Sequence, residues 1–300
     1  MSTEFYKRCP ICKKEPDSSF FGIQGYRYCS RCQLGWLKKL PKITYKENYY
    51  KGTSGIVSKL FIPIGLIFYK IRSSFAKEKN KLWIDVGAGD GGFLKTVNAQ
   101  RRIGVEISKA GRKIMEEAGL ETLSNEEFLK TSGLNADVIS FWHVLEHVER
   151  PWEYLEAAKR NLSKKGRIII GIPNSDSFEL KYFKKYWFHL VPKYHLWHFS
   201  KNSIELLLNK SGFKTNHIDY WSVEHHLAGT LQSFINRTAG SDSVLHRLVK
   251  RGLDYSPTFK DIFWSIFWLT IGLPVVFSFW AISSLLRKPG TFILIAKKIH

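Results

Sequence analysis

The sequence predicts an α/β fold in which a mostly parallel sheet is wrapped by helices, and three observations carry that prediction. From residue 80 onward, apolar strand-like runs alternate with helical patterns, the rhythm of strands joined by helical crossovers. The first run, Leu82-Trp-Ile-Asp-Val86, leads straight into a glycine-packed turn, Gly87-Ala-Gly-Asp-Gly-Gly92. The second run ends on an acid, Glu106, 21 residues after Asp85, the spacing at which a ribose-binding acid follows such a turn.

The elements follow in order. Strands are expected over 82–86, 102–106, 121–123, 137–142 and 167–172, with helices near 91–98, 108–118, 125–131, 150–162 and 200–210. Ser108 and Ser200 stand where N-caps belong, and Gly212 is placed to cap the end of the last helix. Two closing strands are expected over 213–221 and 291–298.

Ahead of this domain, all four cysteines fall within the first 32 residues, as Cys9-x-x-Cys12 and Cys29-x-x-Cys32 with 16 residues between the pairs. That is zinc-ribbon spacing, in which four thiolates complete a tetrahedron around a structural zinc with no open position. Few apolar residues accompany them, so the metal would supply folding energy. Two disulfides or free thiols are the alternative; the N-terminus, Met1-Ser-Thr-Glu-Phe-Tyr, lacks an apolar signal core, which argues against export and for reduced cysteines. The expected organisation is a ribbon over 1–40, a linker with an apolar helix over 41–79, the main domain over 80–222 and 288–300, and a helical insertion over 223–287. Tyr45, Tyr49, Tyr50, Gly52 and Gly55 mark the linker.

The 300 residues carry a formal charge of +20 and 15% aromatic residues. A basic surface suits polyanions such as nucleic acid, anionic headgroups or acidic saccharides, and composition does not choose among them.

The glycines and the acids point to a cofactor. Gly87, Gly89 and Gly92 also satisfy G-x-G-x-x-G, but Asp85 at the mouth of the turn would oppose a pyrophosphate. It would tolerate S-adenosylmethionine, which carries a cationic amine and sulfonium and no phosphate. Candidate cofactor residues are Asp85, Gly87, Ala88, Gly89 and Gly91 on the turn, Glu106 for the ribose hydroxyls, Ile107 beside the adenine and Trp142 over the methionine portion. Ligands in open α/β sheets sit beyond the carboxyl ends of the strands, where these residues fall. Trp142 also reads as a core aromatic, and Glu106 as a surface charge.

The chain resembles the class I S-adenosylmethionine-dependent methyltransferases, in the branch acting on small molecules, quinones and surface-glycan precursors. The residues that carry the resemblance are Asp85-Val-Gly-Ala-Gly-Asp-Gly91, Gly104-Val-Glu106, Ala136-Asp-Val-Ile-Ser-Phe-Trp-His-Val-Leu-Glu-His-Val148, Asn161-Leu-Ser-Lys-Lys-Gly166, Ile172-Pro-Asn174 and His195-Leu-Trp-His-Phe-Ser200. The resemblance implies a seven-stranded sheet whose last strand, 291–298, inserts antiparallel. A four-cysteine module ahead of such a domain resembles methyltransferases of polysaccharide and sugar biosynthesis.

Methyl transfer from a sulfonium mainly needs alignment and desolvation, and a hydroxyl acceptor also needs a base. His143 and His195 are the candidate catalytic groups. Glu146 is expected to orient a histidine, while His147 and His198 read as loop ties through hydrogen bonds. An enzyme working by proximity alone is the alternative.

About seventy residues, 222–290, separate the last two strands, and Ile262–Leu286 contains no charge. As one helix that run would reach roughly 37 Å, enough to cross a bilayer. Both ends must return to one sheet, and Gly272 and Pro274 sit at its middle, so an interfacial hairpin fits better. Trp264, Trp268 and Trp280 suit the headgroup zone, and Lys250, Arg251, Lys260, Arg287 and Lys288 suit anionic lipid on the cytoplasmic side. A buried helical pair, a dimer interface and a single span are the other readings. The run 60–69, with Pro63 and Gly65, could join the same face or pack on the domain. Lys181-Tyr-Phe-Lys-Lys-Tyr-Trp-Phe188 could border the acceptor.

The sequence thus favours a methyltransferase, bound to the cytoplasmic face of a membrane, that acts at oxygen on a lipid-linked or saccharide-precursor acceptor. An RNA methyltransferase is the runner-up, because charge and ribbon both suit RNA, although Trp142-His143 stands where an Asn/Asp-Pro-Pro-aromatic motif would serve exocyclic base nitrogens. A non-catalytic membrane scaffold is the third reading.

Overall fold

Strand β3 (Asn80–Val86) is buried at every position except Lys81, as befits a strand covered on both faces. It lies third in a seven-stranded sheet in a computed structural model that describes residues 4–41, 56–76, 78, 80–241 and 256–299. The other strands are β4 (Ala99–Val105), β5 (Glu121–Leu123), β6 (Ala136–Trp142), β7 (Leu162–Pro173), β9 (Phe213–Asp219) and β10 (Thr291–Lys298). Their order is β5-β4-β3-β6-β7-β10-β9. The pairs β3–β4, β3–β6, β4–β5 and β6–β7 are parallel. The last strand enters between β7 and β9, in a sheet of the seven strands that the resemblance implied. The order reverses between β3 and β6, so a switch point opens at the carboxyl ends of β3, β4 and β6.

Helices α1 (Ile56–Ser73), α2 (Lys109–Glu117), α3 (Asn125–Lys130) and α4 (Pro151–Asn161) accompany this sheet. Ser108 caps α2, accepting from the Gly111 N–H, and Ser124 closes a capping box with Glu127 on α3. Pro63 lies inside α1, which nonetheless runs for 18 residues. The expected helix over 91–98 is instead a single 3-10 turn, Leu94–Thr96. Gly91 there has φ +76, and β4 already begins at Ala99, so no length remains for an α-helix.

By contacts the chain divides into two compact units. One holds α1 through Gly171 with Leu207–Ile218 and Leu294 onward, which is the body of the seven-stranded sheet. The other holds the N-terminal segment, Ile172–Leu206 and Asp219–Ile293.

In this second unit β1 (Tyr26–Cys29) and β2 (Leu34–Leu37) form a hairpin, and β2 pairs on its other side with β8 (Trp197–Phe199). The four-cysteine segment therefore shares a three-stranded sheet with the chain some 160 residues later. Gly35 is required at that junction: a Cβ there would stand 2.5 Å from the Phe20 ring. Trp36 is fully buried and donates from Nε1 to the Tyr6 carbonyl at 2.7 Å. Helix α5 (Phe178–Phe183) precedes β8 and helix α6 (Lys201–Lys210) follows it, and Ser200 and Ser203 exchange backbone-to-hydroxyl hydrogen bonds at the start of α6.

The insertion folds as α7 (Ala228–Ala239), α8 (Phe259–Leu269) and α9 (Leu273–Leu285). α8 and α9 bend by 66° across Thr270–Gly272, with Pro274 in the first turn of α9, where its missing N–H costs nothing. No single helix among the described residues is long and apolar enough to cross a membrane; α8 and α9 reach that length only together. The three tryptophans expected at headgroups are each half-buried, with protein neighbours on one side. Trp268 lies 4.4 Å from the Phe234 ring and donates to Thr238 Oγ1 at 3.0 Å, Trp264 packs on the Ile235 cluster, and Trp280 meets Trp221 edge-on. Aliphatic and phenylalanine side chains take the outer face, with Phe259 84% and Ile271 75% exposed, and Phe263, Ile266, Leu269, Val275, Phe277, Ile282 and Leu285 exposed between and beyond them. Lys288 is bonded to Asp176 rather than free. The linker tyrosines, Gly52, Gly55, Lys250 and Arg251 lie outside the described residues.

Candidate cofactor and active site

The turn after β3 is built by backbone geometry. Gly87, Gly89 and Gly91 have φ of +77°, +62° and +76°, a region that L side chains enter only with strain. Space is also short at Gly87, where a Cβ would lie 2.5 Å from Val144 Cγ2. The Gly87 and Ala88 N–H groups both donate to the Val105 carbonyl, at 2.8 and 3.0 Å. This ties the turn to the end of β4.

Glu106 closes the other side. It is buried, and its two carboxylate oxygens accept separately from the Gly89 N–H at 3.0 Å and the Ser108 N–H at 2.9 Å. One lone pair on each oxygen is thereby used, and the others remain as acceptors for a pair of hydroxyls. Ile107, next along, is 56% exposed, an apolar surface at the rim where a flat base can rest.

Asp85 differs from the sequence expectation of an open anionic mouth. The register sets it opposite Gly104 on one side and Ser140 on the other. Its carboxylate is buried and accepts from Ser140 Oγ at 2.6 Å, while Trp83 Nε1 donates to the same hydroxyl at 2.8 Å. Burial pushes its carboxyl up to about 7, against the Ser140 hydrogen bond and the Arg72 charge, with Glu106 adding to the rise. A cation brought to this carboxyl would therefore favour its ionised form.

Trp142 ends β6, packed edge-on against Phe93 with ring centroids 5.7 Å apart. Its buried Nε1 has no hydrogen-bond partner among the described residues. Arg72 lies with its guanidinium carbon 5.0 Å from the Trp142 ring and 5.8 Å from that of Tyr69. Sequence reading missed Arg72 and Tyr69, both on α1. They stand well upstream of the glycine motif and carry no motif of their own; only the fold brings α1 against Gly92, where a Cβ would approach the Tyr69 ring to 3.0 Å. The residues present suit S-adenosylmethionine: paired acceptors on Glu106, a titratable acid at Asp85, an exposed apolar rim and an arginine able to meet a carboxylate.

His143 follows Trp142 with φ +56°, a strained conformation for a residue with a side chain. Its Nδ1 lies 3.0 Å from Glu146 Oε1. A carboxylate can only accept, so in this contact Nδ1 is the nitrogen that carries the proton. This is the orienting role expected for Glu146. His195, in the other unit, is buried with Nδ1 2.7 Å from the His189 carbonyl. His198 ties no loop through its ring: neither nitrogen has a partner among the described residues. It stacks on Phe20 at 5.0 Å, and burial lowers it to about 3, so it stays neutral.

Cys9, Cys12, Cys29 and Cys32 converge with all four sulfurs within 4.8 Å of one another, and none is in a disulfide. Tetrahedral zinc at about 2.3 Å from each sulfur needs sulfurs slightly under 4 Å apart, and Cys12 and Cys29 already stand at 3.6 Å. Burial pushes the Cys9 thiol up to about 11. Cys12 is drawn down to about 7 against its burial, by the Lys14 N–H and neighbouring thiols.

A methyltransferase-domain family model matches residues 67–218, about half of the chain. The chain belongs to that family. It is a class I S-adenosylmethionine-dependent methyltransferase by domain. This methyltransferase superposes on a chain of the complex between the Haloferax volcanii Trm112 methyltransferase activator and its methyltransferase, with a TM-score of 0.51 at 12% identity, covering 86% of this chain and 100% of that one. An S-adenosylmethionine-dependent methyltransferase from Archaeoglobus fulgidus aligns at 19% identity and a TM-score of 0.47, covering 78% of this chain and 94% of that one. Over 96 residues, 32% of its length, the methyltransferase is 40% identical to an uncharacterized protein of Methanocaldococcus jannaschii, and it spans 46% of that relative.

Proposed function

We propose that this methyltransferase works at the cytoplasmic face of a membrane and methylates an oxygen of a lipid-linked or saccharide-precursor acceptor. The observation that carries the membrane part is the outer face of α8 and α9. Phe259, Phe263 and Ile266 on α8, Ile271 in the bend, and Val275 and Leu285 on α9 are exposed, with no charged residue between Ile262 and Leu286. A continuous apolar face of this kind on a soluble surface marks an interaction site, and a lipid boundary accepts it without a matching partner shape.

S-adenosylmethionine, held by Glu106, the 87–91 turn and Asp85 with Trp142 and Arg72 alongside, would supply a methyl group already activated on sulfur. The chain supplies alignment and a base. His143, with Nδ1 fixed by Glu146, takes the proton of the acceptor hydroxyl at Nε2 as that oxygen gains its new bond to carbon. His195 remains the second candidate for acceptor-side work, its ring fixed through Nδ1 by the His189 carbonyl. Cys9, Cys12, Cys29 and Cys32 hold a structural zinc that folds the N-terminal ribbon and takes no part in the chemistry.

The test incubates the protein with labelled methyl donor and fractionated lipid, glycan and RNA extracts. Label in a lipid or glycan fraction, lost in His143→Ala, supports the reading; label confined to RNA overturns the acceptor. Vesicle retention tests the membrane separately. Phe263→Lys with Ile266→Lys should release the protein from anionic vesicles and leave donor binding unchanged. Undiminished retention sinks the membrane assignment.

A further inference from the structure

Five lysines crowd the end of the seven-stranded sheet away from the cofactor turn. Lys164 and Lys165 open β7, Lys214 opens β9, and Lys297 and Lys298 close β10. Asp85, Glu106 and Trp142 stand at the opposite ends of their strands, so this is a separate location. The three lysine-bearing strands are neighbours in the sheet, and with Asn216 their side chains line a recess of 510 Å³. Among the described residues, no carboxylate and no aromatic ring lines it.

We propose that this recess binds a compact multivalent phosphate, of the di- or triphosphate class. Like charges gathered without a counter-ion repel one another and weaken the fold, an arrangement that an anion relieves. Crowding already shows at Lys298. Burial and the nearby Lys159 charge lower its pKa, and its ammonium is bonded to the Leu162 carbonyl. Strand spacing puts β7 and β9 about 10 Å apart across β10, the scale of a few linked phosphates rather than of a long polymer. Lysine offers mobile point charges, which suit phosphates whose orientation varies. A base or sugar ring would call for stacking side chains, and the lining has none. A flat bilayer meets a convex or planar basic face more readily than a recess. This site does not depend on the acceptor assigned above.

The test measures tripolyphosphate binding calorimetrically to the intact chain in about 50 mM salt, beside orthophosphate and a short single-stranded RNA. Tripolyphosphate should bind at least tenfold tighter than orthophosphate. Lys214→Gln with Lys297→Gln should weaken it at least tenfold, and higher salt should weaken it further, while S-adenosylmethionine affinity and circular dichroism stay at wild-type values. Equal binding of the two phosphates, or an unchanged double variant, overturns the proposal. RNA binding tenfold tighter than tripolyphosphate and lost in the same variant also overturns it, in favour of a nucleic-acid groove. Retention on vesicles bearing phosphatidic acid, lost in the same variant, overturns it as well, in favour of a monophosphate headgroup surface.

Discussion

The glycine turn after β3 and the four-cysteine segment each gather a binding site from a short stretch of chain, but they rely on different parts of it. The turn depends on side chains being missing: positive φ at Gly87, Gly89 and Gly91 and closed space at Gly87 leave room only for backbone. The cysteine segment depends on side chains being present, with four sulfurs converging among strands of four residues each. A sheet of seven strands supports the first. A ligand would have to support much of the second. A site held by its scaffold should survive the loss of its ligand, and a site held by its ligand should not.

Metal removal gives the largest expected effect. Stripping the cysteine segment with a strong chelator should cost roughly 10 kcal/mol of its folding free energy. Trp36, now fully buried, should become solvent-exposed and its fluorescence should shift to the red. Unchanged Trp36 emission in metal-free protein would erase the contrast between the two sites. Gly87→Ala comes next. It combines a left-handed backbone with a Cβ 2.5 Å from Val144, costing about 2–4 kcal/mol, measurable by urea unfolding, and donor binding in equilibrium dialysis should fall with it.

A pH titration probes the turn from its acid side. Asp85 is raised to about 7 from 3.8, so its contribution to stability is fully present below pH 3.8 and is lost as pH rises through 7. The upper limit is roughly 4 kcal/mol. Melting temperatures of the ligand-free protein from pH 4 to 8 should show this decline, and Asp85→Asn should flatten it. A cationic donor should lessen the decline by favouring the carboxylate. The smallest effect belongs to Glu106→Gln, which keeps the shape of the side chain but leaves one of the Gly89 and Ser108 N–H groups without an acceptor. Donor affinity should fall by about 1–3 kcal/mol, or tenfold to a hundredfold, and the unfolding midpoint should drop modestly with the unpaired N–H.

Much of the sheet was legible because its strands are short apolar runs between turn residues, and even the late strand β10 was expected at its observed limits. The 91–98 helix was misjudged because apolar spacing there is helical, while Gly91 and the nearness of β4 decide otherwise. β8 was invisible: Trp197-His-Phe199 is too short to read as a strand, and it extends only because β2 supplies hydrogen bonds. The tryptophans of the hairpin were read by residue type alone, and their protein neighbours, Phe234 and Thr238 for Trp268 and Trp221 for Trp280, are ones a linear reading cannot place. On the site, the glycines, Glu106 and the cysteines stood out by spacing. Arg72 did not, since nothing local distinguishes one lysine- or arginine-bearing helix end from another. The inward turn of Asp85 was equally hidden, because it depends on Ser140 arriving opposite it in a strand 55 residues away.

The β2–β8 pairing bears on how the protein can be dissected. The hydrogen bonds between Leu34-Gly-Trp36 and Trp197-His-Phe199 make the first forty residues a structural part of the unit that also carries the insertion, not a detachable tag. A truncated version beginning at α1 would uncover a strand edge flanked by Trp197 and Phe199, both otherwise shielded from water. Such an edge recruits other chains. Shortened versions would therefore precipitate for reasons unrelated to zinc or catalysis, and Cys→Ser variants of the full chain are the cleaner way to ask what the cysteines do.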